Sequence, residues 1–370
     1  MPLRALIIPD KFKGTLTAAQ AAEAIARGWR TARPNDTLEL LPMSDGGDGF
    51  GAIIGEMLGA QLQTVKTVDA ANRPIEVHWW WDEASRTAVI ESALVIGLSM
   101  LPHGRFHPFE LDTRGLGTVL QKAAAHGARH CIVGIGGSAT NDGGFGMART
   151  LGWQFFNAHE EAITRWSELY SLAVIRPPDP IGLFDDLVVA VDVQNPLLGP
   201  AGCSRIYGPQ KGLSEFDFAE RCLGQLARVL EQELHIHHAS EPGAGAAGGL
   251  GFGLRSFANA RLEAGFDRFA KVARLEERLK KIQVVITGEG AMDASTLMGK
   301  GVGEVAGLCR CLDVPCIGLA GILNDAEVVR TKLSAAHALT PEFTTPDQAM
   351  RDAALWLERL ATKVAADWNG

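Results

Sequence analysis

Apolar residues in this chain gather in short β-branched runs, each followed by a polar bend rich in glycine and then by a stretch of helical period. Leu3–Ile8 is the first run and predicts a buried parallel strand. It ends in Pro9-Asp10-Lys11-Phe12-Lys13-Gly14-Thr15, after which Thr17 and Gln20 form a capping box for a helix reaching Trp29 or Arg30. Thr37–Leu41 predicts a second strand, the bend Pro42–Gly49 follows, and Phe50–Leu58 predicts a second helix. Strand, bend, helix, repeated, is the order of a parallel sheet with crossover helices. Such sheets take ligands at the carboxyl ends of their strands, where these bends lie.

From Gln61 the pattern changes. Gln61–Val68, Ile75–Asp82 and Arg86–Ile90 predict three successive strands in a more antiparallel style, with Trp79-Trp80-Trp81 as packing or interface surface. A helix over Leu116–His126 leads to a strand at Cys131–Val133, a glycine-rich turn and a helix over Phe145–Leu151. Further on, Leu187–Val191 predicts a strand, and Ser214–Leu234 and Leu250–Glu263 predict helices. The βαβα order returns from Gln283, with strands at Val284–Thr287 and Pro315–Ala320 and helices over Val302–Cys309, Asp325–Leu333 and Ala349–Ala366. The expected fold is α/β: a Rossmann-like or flavodoxin-like parallel-sheet domain built from both chain ends (1–66 and 283–370), with a second mixed α/β domain (67–282) inserted.

Composition narrows the partners. The chain has 370 residues, 46% apolar and 21% charged, enough for a sizeable core. A net charge of −8 without a dense Lys/Arg run argues against nucleic acid or an anionic membrane as partner. No apolar run reaches the roughly 18–20 residues of a membrane span. The N-terminus lacks a signal-peptide pattern, and the six cysteines show no framework spacing. Free thiols in a reducing cytosol, hence a cytoplasmic protein, are the expectation. A homo-oligomer remains open.

The candidate chemistry centres on Gly134–Gly146. A strand feeding a glycine-rich turn that opens a helix aims backbone N–H groups at an anion. Gly136, Gly137, Ser138, Thr140, Asn141 and Asp142 are therefore candidate ligands for nucleotide phosphates. Four further bends carry acids, amides or lysines at predicted strand ends. The first holds Asp10, Lys11 and Lys13; the second, Asp45 and Asp48 three apart, a spacing that suits Mg²⁺ directly or through water. Asp192 and Asn195 lie in the third, and Gly288, Glu289, Asp293 and Lys300 in the fourth. Acids with lysines are what phosphoryl transfer needs, a metal to bridge oxygens and a cation to offset charge.

Other motifs are weaker. Gly243–Gly248 fits a dinucleotide fingerprint but lacks a preceding strand; Gly134–Ala139 fits the variant ending in Ala and does follow one, so an NAD-dependent oxidoreductase of a small hydroxy acid is the alternative reading. A Walker A loop is absent, and His235, His237 and His238 read as surface histidines.

Taken together, the segments PDKFKGTLTA, PMSDGGDGF, GIGGSATNDGGFGM, DVQNPLLGPAG, GPQKG, PGAGAAGGLGFGL and TGEGAMD…TLMGKG resemble glycerate kinase family 1, the bacterial glycerate 2-kinases. The resemblance runs from the first strand to the last third of the chain. It implies ATP- and Mg²⁺-dependent phosphorylation of D-glycerate at its 2-hydroxyl, and a two-domain α/β fold. Lys11, the stretch Glu91–Gly97, Ser295 and Val302 depart from the family pattern, which leaves a kinase of a related small hydroxy acid open. By residue type and loop position, Lys13, Asp192, Asp293 and Lys300 are expected to be catalytic. Asp10, Asp45, Asn195 and Arg114 are expected to bind substrate, and Asp45 and Asp48 to hold the metal.

Overall fold

The computed structural model describes residues 2–297 and 301–368. Its strands, in chain order, are β1 (Arg4–Pro9), β2 (Thr37–Leu40), β3 (Gln61–Val68), β4 (Pro74–Asp82), β5 (Thr87–Glu91), β6 (His130–Gly134), β7 (Gln154–Asn157), β8 (Leu172–Arg176), β9 (Asp186–Val191), β10 (Arg261–Ala264), β11 (Val284–Met292), β12 (Cys316–Leu323) and β13 (Ala335–Thr340). The chain divides into two compact units, one made of 1–45 and 269–370, the other of 46–268.

The first unit holds a five-stranded sheet in the order β13-β12-β11-β1-β2, with every pair parallel. Counted within the unit this is 2-1-3-4-5, the flavodoxin-like order, and it reverses direction between β1 and β11. All of β1 but Arg4 is buried, as expected of a strand covered on both faces. The helix Ala18–Ala32 begins at the Thr17–Gln20 capping box, with Thr17 Oγ1 accepting from the Gln20 amide and Gln20 Oε1 accepting from the Thr17 amide. It packs on the C-terminal helix Ala353–Asp367. Ile25, Trp29, Leu357 and Leu360 share the core with Ile7 and Ile286.

The second unit holds a six-stranded sheet in the order β10-β9-β6-β5-β4-β3. β5, β6, β9 and β10 run parallel, and β4 and β3 add antiparallel at one edge. β7 and β8 form a separate hairpin. Trp79 and Trp81 are buried and meet His126 edge-on, so the tryptophan run packs the core at that edge. Glu91, at the end of β5, accepts from the amides of Gly49 and Gly51 and so caps the helix Phe50–Leu58.

Three local readings of the sequence are revised. The helix expected over Leu250–Glu263 spans Ala246–Phe257, and Arg261–Ala264 becomes β10 beside β9. Asn259, at φ 55°, turns the chain out of the helix, a left-handed conformation that asparagine tolerates better than most residues. β13 was silent in the sequence because an Ala-rich run with a single β-branched residue, Thr340, carries little strand signal. The segment 46–66, placed by pattern with the first domain, contributes its helix and β3 to the second unit, since β3 pairs with β4 over eight residues. Among the described residues no helix is long and apolar enough to cross a membrane. The six cysteines are free, five of them buried.

Candidate active site

In the second unit, β5, β6 and β9 end at the same edge of the sheet. The chain leaving β6 turns through Ile135-Gly136-Gly137-Ser138 and, with Ala190–Val193 leaving β9, lines a cavity of about 400 Å³. Asp48, Ser99, Asp192, Tyr207, Gln210 and Lys211 complete the polar part of its wall. Asp48 comes from the bend ahead of the helix Phe50–Leu58, and its carboxylate lies against Gly137. Gly137 holds φ 73°, a conformation that would strain any side chain; a Cβ there would also sit 2.9 Å from Asp48 Oδ1. Leu98 donates to the Gly137 carbonyl and Ala139 to that of Ile96, which pins the turn; the Gly137 and Ser138 amides have no acceptor among the described residues.

The rest of the glycine-rich segment is buried, and its polar groups are paired inside the fold except Asn141 Oδ1, which has no hydrogen-bond partner among the described residues. Asp142 accepts from the Thr113 amide (2.9 Å) and hydroxyl (2.8 Å) and from the amides of Gly144 (3.2 Å) and Gly146 (2.9 Å). Burial, and to a lesser degree the Asp112 carboxylate, push Asp142 up to about 6 against the pull of those donors. Asn141 Nδ2 donates to Ser204 Oγ at 2.9 Å. Thr140 is buried, and its carbonyl accepts from Lys211. Thus of six residues expected to contact the nucleotide here, Gly136, Gly137 and Ser138 line the cavity, whereas Thr140, Asn141 and Asp142 lie inside the fold.

Asn195 is likewise engaged within the fold. It accepts from the Tyr207 hydroxyl at 2.5 Å and donates to the Ala201 carbonyl at 2.8 Å, which orients Tyr207 on the cavity wall. Arg114 is half exposed and pairs with Asp112 at 3.8 Å, away from the cavity-lining residues. Lys211 escaped the sequence reading. It sits in the bend Gly208-Pro209-Gln210-Lys211-Gly212, whose motif GPQKG was legible but carried no chemistry of its own. Its ammonium donates to Thr140 O at 2.7 Å and Ser138 Oγ at 3.4 Å. Burial pushes Lys211 down to about 8, with Cys203 and Asp142 opposing that shift.

In the first unit a second polar group forms where β1 and β11 end, at the reversal of strand order. Asp10 donates its amide to Gly288 O at 2.8 Å, and its carboxylate accepts from the Lys11 amide at 2.7 Å. Burial, then the neighbouring Asp45 carboxylate, raise Asp10 to about 6. Lys13 is exposed and follows Phe12, whose backbone lies against Gly290. Glu289 stands on β11 next to Gly288. Asp293 Oδ1 accepts from the Ser295 amide (2.7 Å) and hydroxyl (2.6 Å), holding the turn after β11. Lys300 lies outside the described residues.

Neighbouring carboxylate oxygens suit a hard divalent cation, so Asp10 beside Asp45 fits Mg²⁺ chemically, as do Asp48 and Asp192, which both line the cavity. Among the described residues no three His, Cys, Asp or Glu side chains converge into a metal cage.

The sequence profile of the glycerate kinase family matches residues 5–369. A glycerate kinase of Halalkalibacterium halodurans is 38% identical, with 98% of each chain aligned. Glycerate 2-kinase of Escherichia coli is 36% identical over 98% of this chain and 97% of its own. A crystal structure of a Salmonella typhimurium LT2 protein assigned as glycerate kinase 2 superposes with a TM-score of 0.83 at 31% identity, covering 98% of this chain and 97% of that one. This result does not favour the NAD-dependent alternative. Nor does the geometry: a dinucleotide fingerprint runs straight into a helix, whereas here the next helix starts only at Phe145. With a profile match along nearly its whole length and relatives above one-third identity, the chain belongs to the glycerate kinase family, a family of phosphotransferases.

Proposed function

We propose that this protein transfers the γ-phosphoryl group of ATP to the 2-hydroxyl of D-glycerate, giving 2-phospho-D-glycerate and ADP. The observation that carries the reading is the cavity at the ends of β6 and β9, where two unused amides, two carboxylates and a lysine meet. The relative in Escherichia coli, named glycerate 2-kinase, supports the regiochemistry.

In this reading the ATP γ-phosphorus–oxygen bond breaks as the substrate's 2-oxygen bonds to phosphorus, and the hydroxyl proton must leave. Asp192, exposed on the cavity wall, orients that hydroxyl and accepts its proton. The Gly137 and Ser138 amides bind phosphate oxygens. Mg²⁺, when bound, neutralises phosphate charge, and the candidate carboxylates for it are Asp45 and Asp48. Lys13 and Lys300 offset further negative charge, and Gly288 and Glu289 are candidate contacts to the nucleotide. Asp293 acts by holding the turn after β11 in place. Positioning and charge neutralisation contribute more than the base, because the transition state of phosphoryl transfer is loose.

The test is ³¹P NMR of the products formed from ATP, Mg²⁺ and D-glycerate. A 2-phosphoglycerate resonance with stoichiometric ADP is expected. A 3-phosphoglycerate resonance overturns the regiochemistry, and unchanged ATP with this substrate overturns the glycerate assignment.

A further inference from the structure

The lysine of the cavity wall is an incomplete ion pair. Lys211 is only 7% exposed, yet it lines the cavity. Its two hydrogen-bond partners, Thr140 O and Ser138 Oγ, are neutral oxygens. Among the described residues no carboxylate lies within ion-pair distance of its ammonium. Asp142 and the Cys203 thiol act on it electrostatically, but Asp142 already serves four donors and Cys203 is buried. A buried ammonium without an anion is costly, and a bound anion would remove that cost.

The surroundings fix the position of that ammonium. Ser138 donates its hydroxyl to Ala247 O at 3.0 Å, so its oxygen is oriented to accept from Lys211. Gly212, at φ 85°, closes the bend immediately after the lysine, and Pro209 opens it. Two of the three ammonium N–H groups are used inside the fold, which leaves one for a ligand. The Gly137 and Ser138 amides, on the same wall, are also without acceptors among the described residues.

We propose that Lys211 is the cation of an oxyanion site in this cavity and binds a phosphate group of the nucleotide, together with the amides of Gly137 and Ser138. Naming the nucleotide rests on the phosphotransferase reading above. A phosphate group has three oxygens to meet three donors of fixed position, and lysine serves it as a point charge. The carboxylate of a small hydroxy acid is the competing oxyanion, and the test separates the two.

Calorimetric titration of the full chain with inorganic tripolyphosphate, ATP and D-glycerate reads the site directly. For Lys211→Met, tripolyphosphate and ATP should each bind at least about tenfold more weakly, a loss of about 1.4 kcal/mol. D-glycerate should stay within about twofold of wild type, and Lys211→Arg should recover part of the loss. Unchanged tripolyphosphate affinity in a folded Lys211→Met protein overturns the proposal. So does weakening of D-glycerate alone, which would assign the lysine to the carboxylate. Should the Met variant fail to fold, the wild type suffices: tripolyphosphate should protect Lys211 from acetylation, read by mass spectrometry, and absence of protection overturns the site. Loss of tripolyphosphate binding in Lys211→Met, in a protein whose wild type makes no phosphoglycerate, would keep this site and sink the glycerate reading. Normal phosphoglycerate formation with unaltered tripolyphosphate binding would do the reverse.

Discussion

The glycine-rich segment after β6 has two halves with the same composition and opposite uses. Its outer half, Gly136–Ser138, faces a cavity, and the Gly137 and Ser138 amides there have no acceptor among the described residues. Its inner half, Thr140–Gly146, is buried, and the carboxylate of Asp142 gathers the donors around it. A second glycine cluster explains why the inner half can be so tight. Gly248, at φ 72°, packs so closely that a Cβ there would lie 1.9 Å from Thr140 O. What read as one long nucleotide loop is a short cavity-lining turn resting on a buried internal brace. The difference teaches that glycine and small polar residues alone do not separate a binding surface from a packing surface; the criterion is whether the backbone donors are already used.

The largest effect should come from breaking the brace. Gly248→Val places a branched side chain both in a left-handed conformation and against the Thr140 carbonyl. Urea unfolding should show a loss above about 4 kcal/mol, or no folded protein at all. A variant within about 1 kcal/mol of wild type would mean that the two glycine segments do not depend on each other.

Next is the pH dependence of the inner half. Asp142 is raised from 3.8 to about 6, so the folded state holds its proton more tightly than the unfolded chain does. Its contribution to stability is therefore fully present below about pH 4 and is lost as pH rises through about 6. The loss is on the order of 3 kcal/mol, because a tenfold change in proton affinity is worth about 1.36 kcal/mol. Unfolding free energies of wild type and Asp142→Asn at pH 4 and pH 7 read this contribution, because the amide cannot titrate. Equal slopes in the two proteins would show that Asp142 carries no such burden.

The outer face sharpens the contrast from the other side. Asp192→Asn should lower kcat with ATP and D-glycerate on the order of 10²-fold while shifting stability by no more than about 0.5 kcal/mol, since the side chain is exposed. Turnover within about threefold of wild type would remove Asp192 from the reaction. A large stability loss would place it with the brace.

Much of this was legible in the chain alone. Alternating apolar runs and bends announced β1, β6, β9, β11 and β12, because buried parallel strands leave a continuous apolar signature; β2, half-buried at the sheet edge, showed as a short alternating run. The capping box at Thr17 and Gln20 was readable because its partners are three residues apart. Asp48, Gly136, Gly137, Ser138 and Asp192 stood out as polar or glycine positions at strand ends, and the structure brings them to one cavity. β13 and β10 were missed because their stability comes from neighbouring strands distant in sequence, Ala335–Thr340 from β12 and Arg261–Ala264 from β9.

The sequence by itself determined the α/β class, the order of most strands and the bends that carry charge, because those depend on periodicity and on turn chemistry within a few residues. Only the tertiary structure decided which polar residues face a ligand. Lys211 reaches the Ser138 turn across 73 positions of chain, and Asp142 meets Thr113 across 29. Whether a donor is spent or available is a property of such distant contacts. No local pattern encodes it.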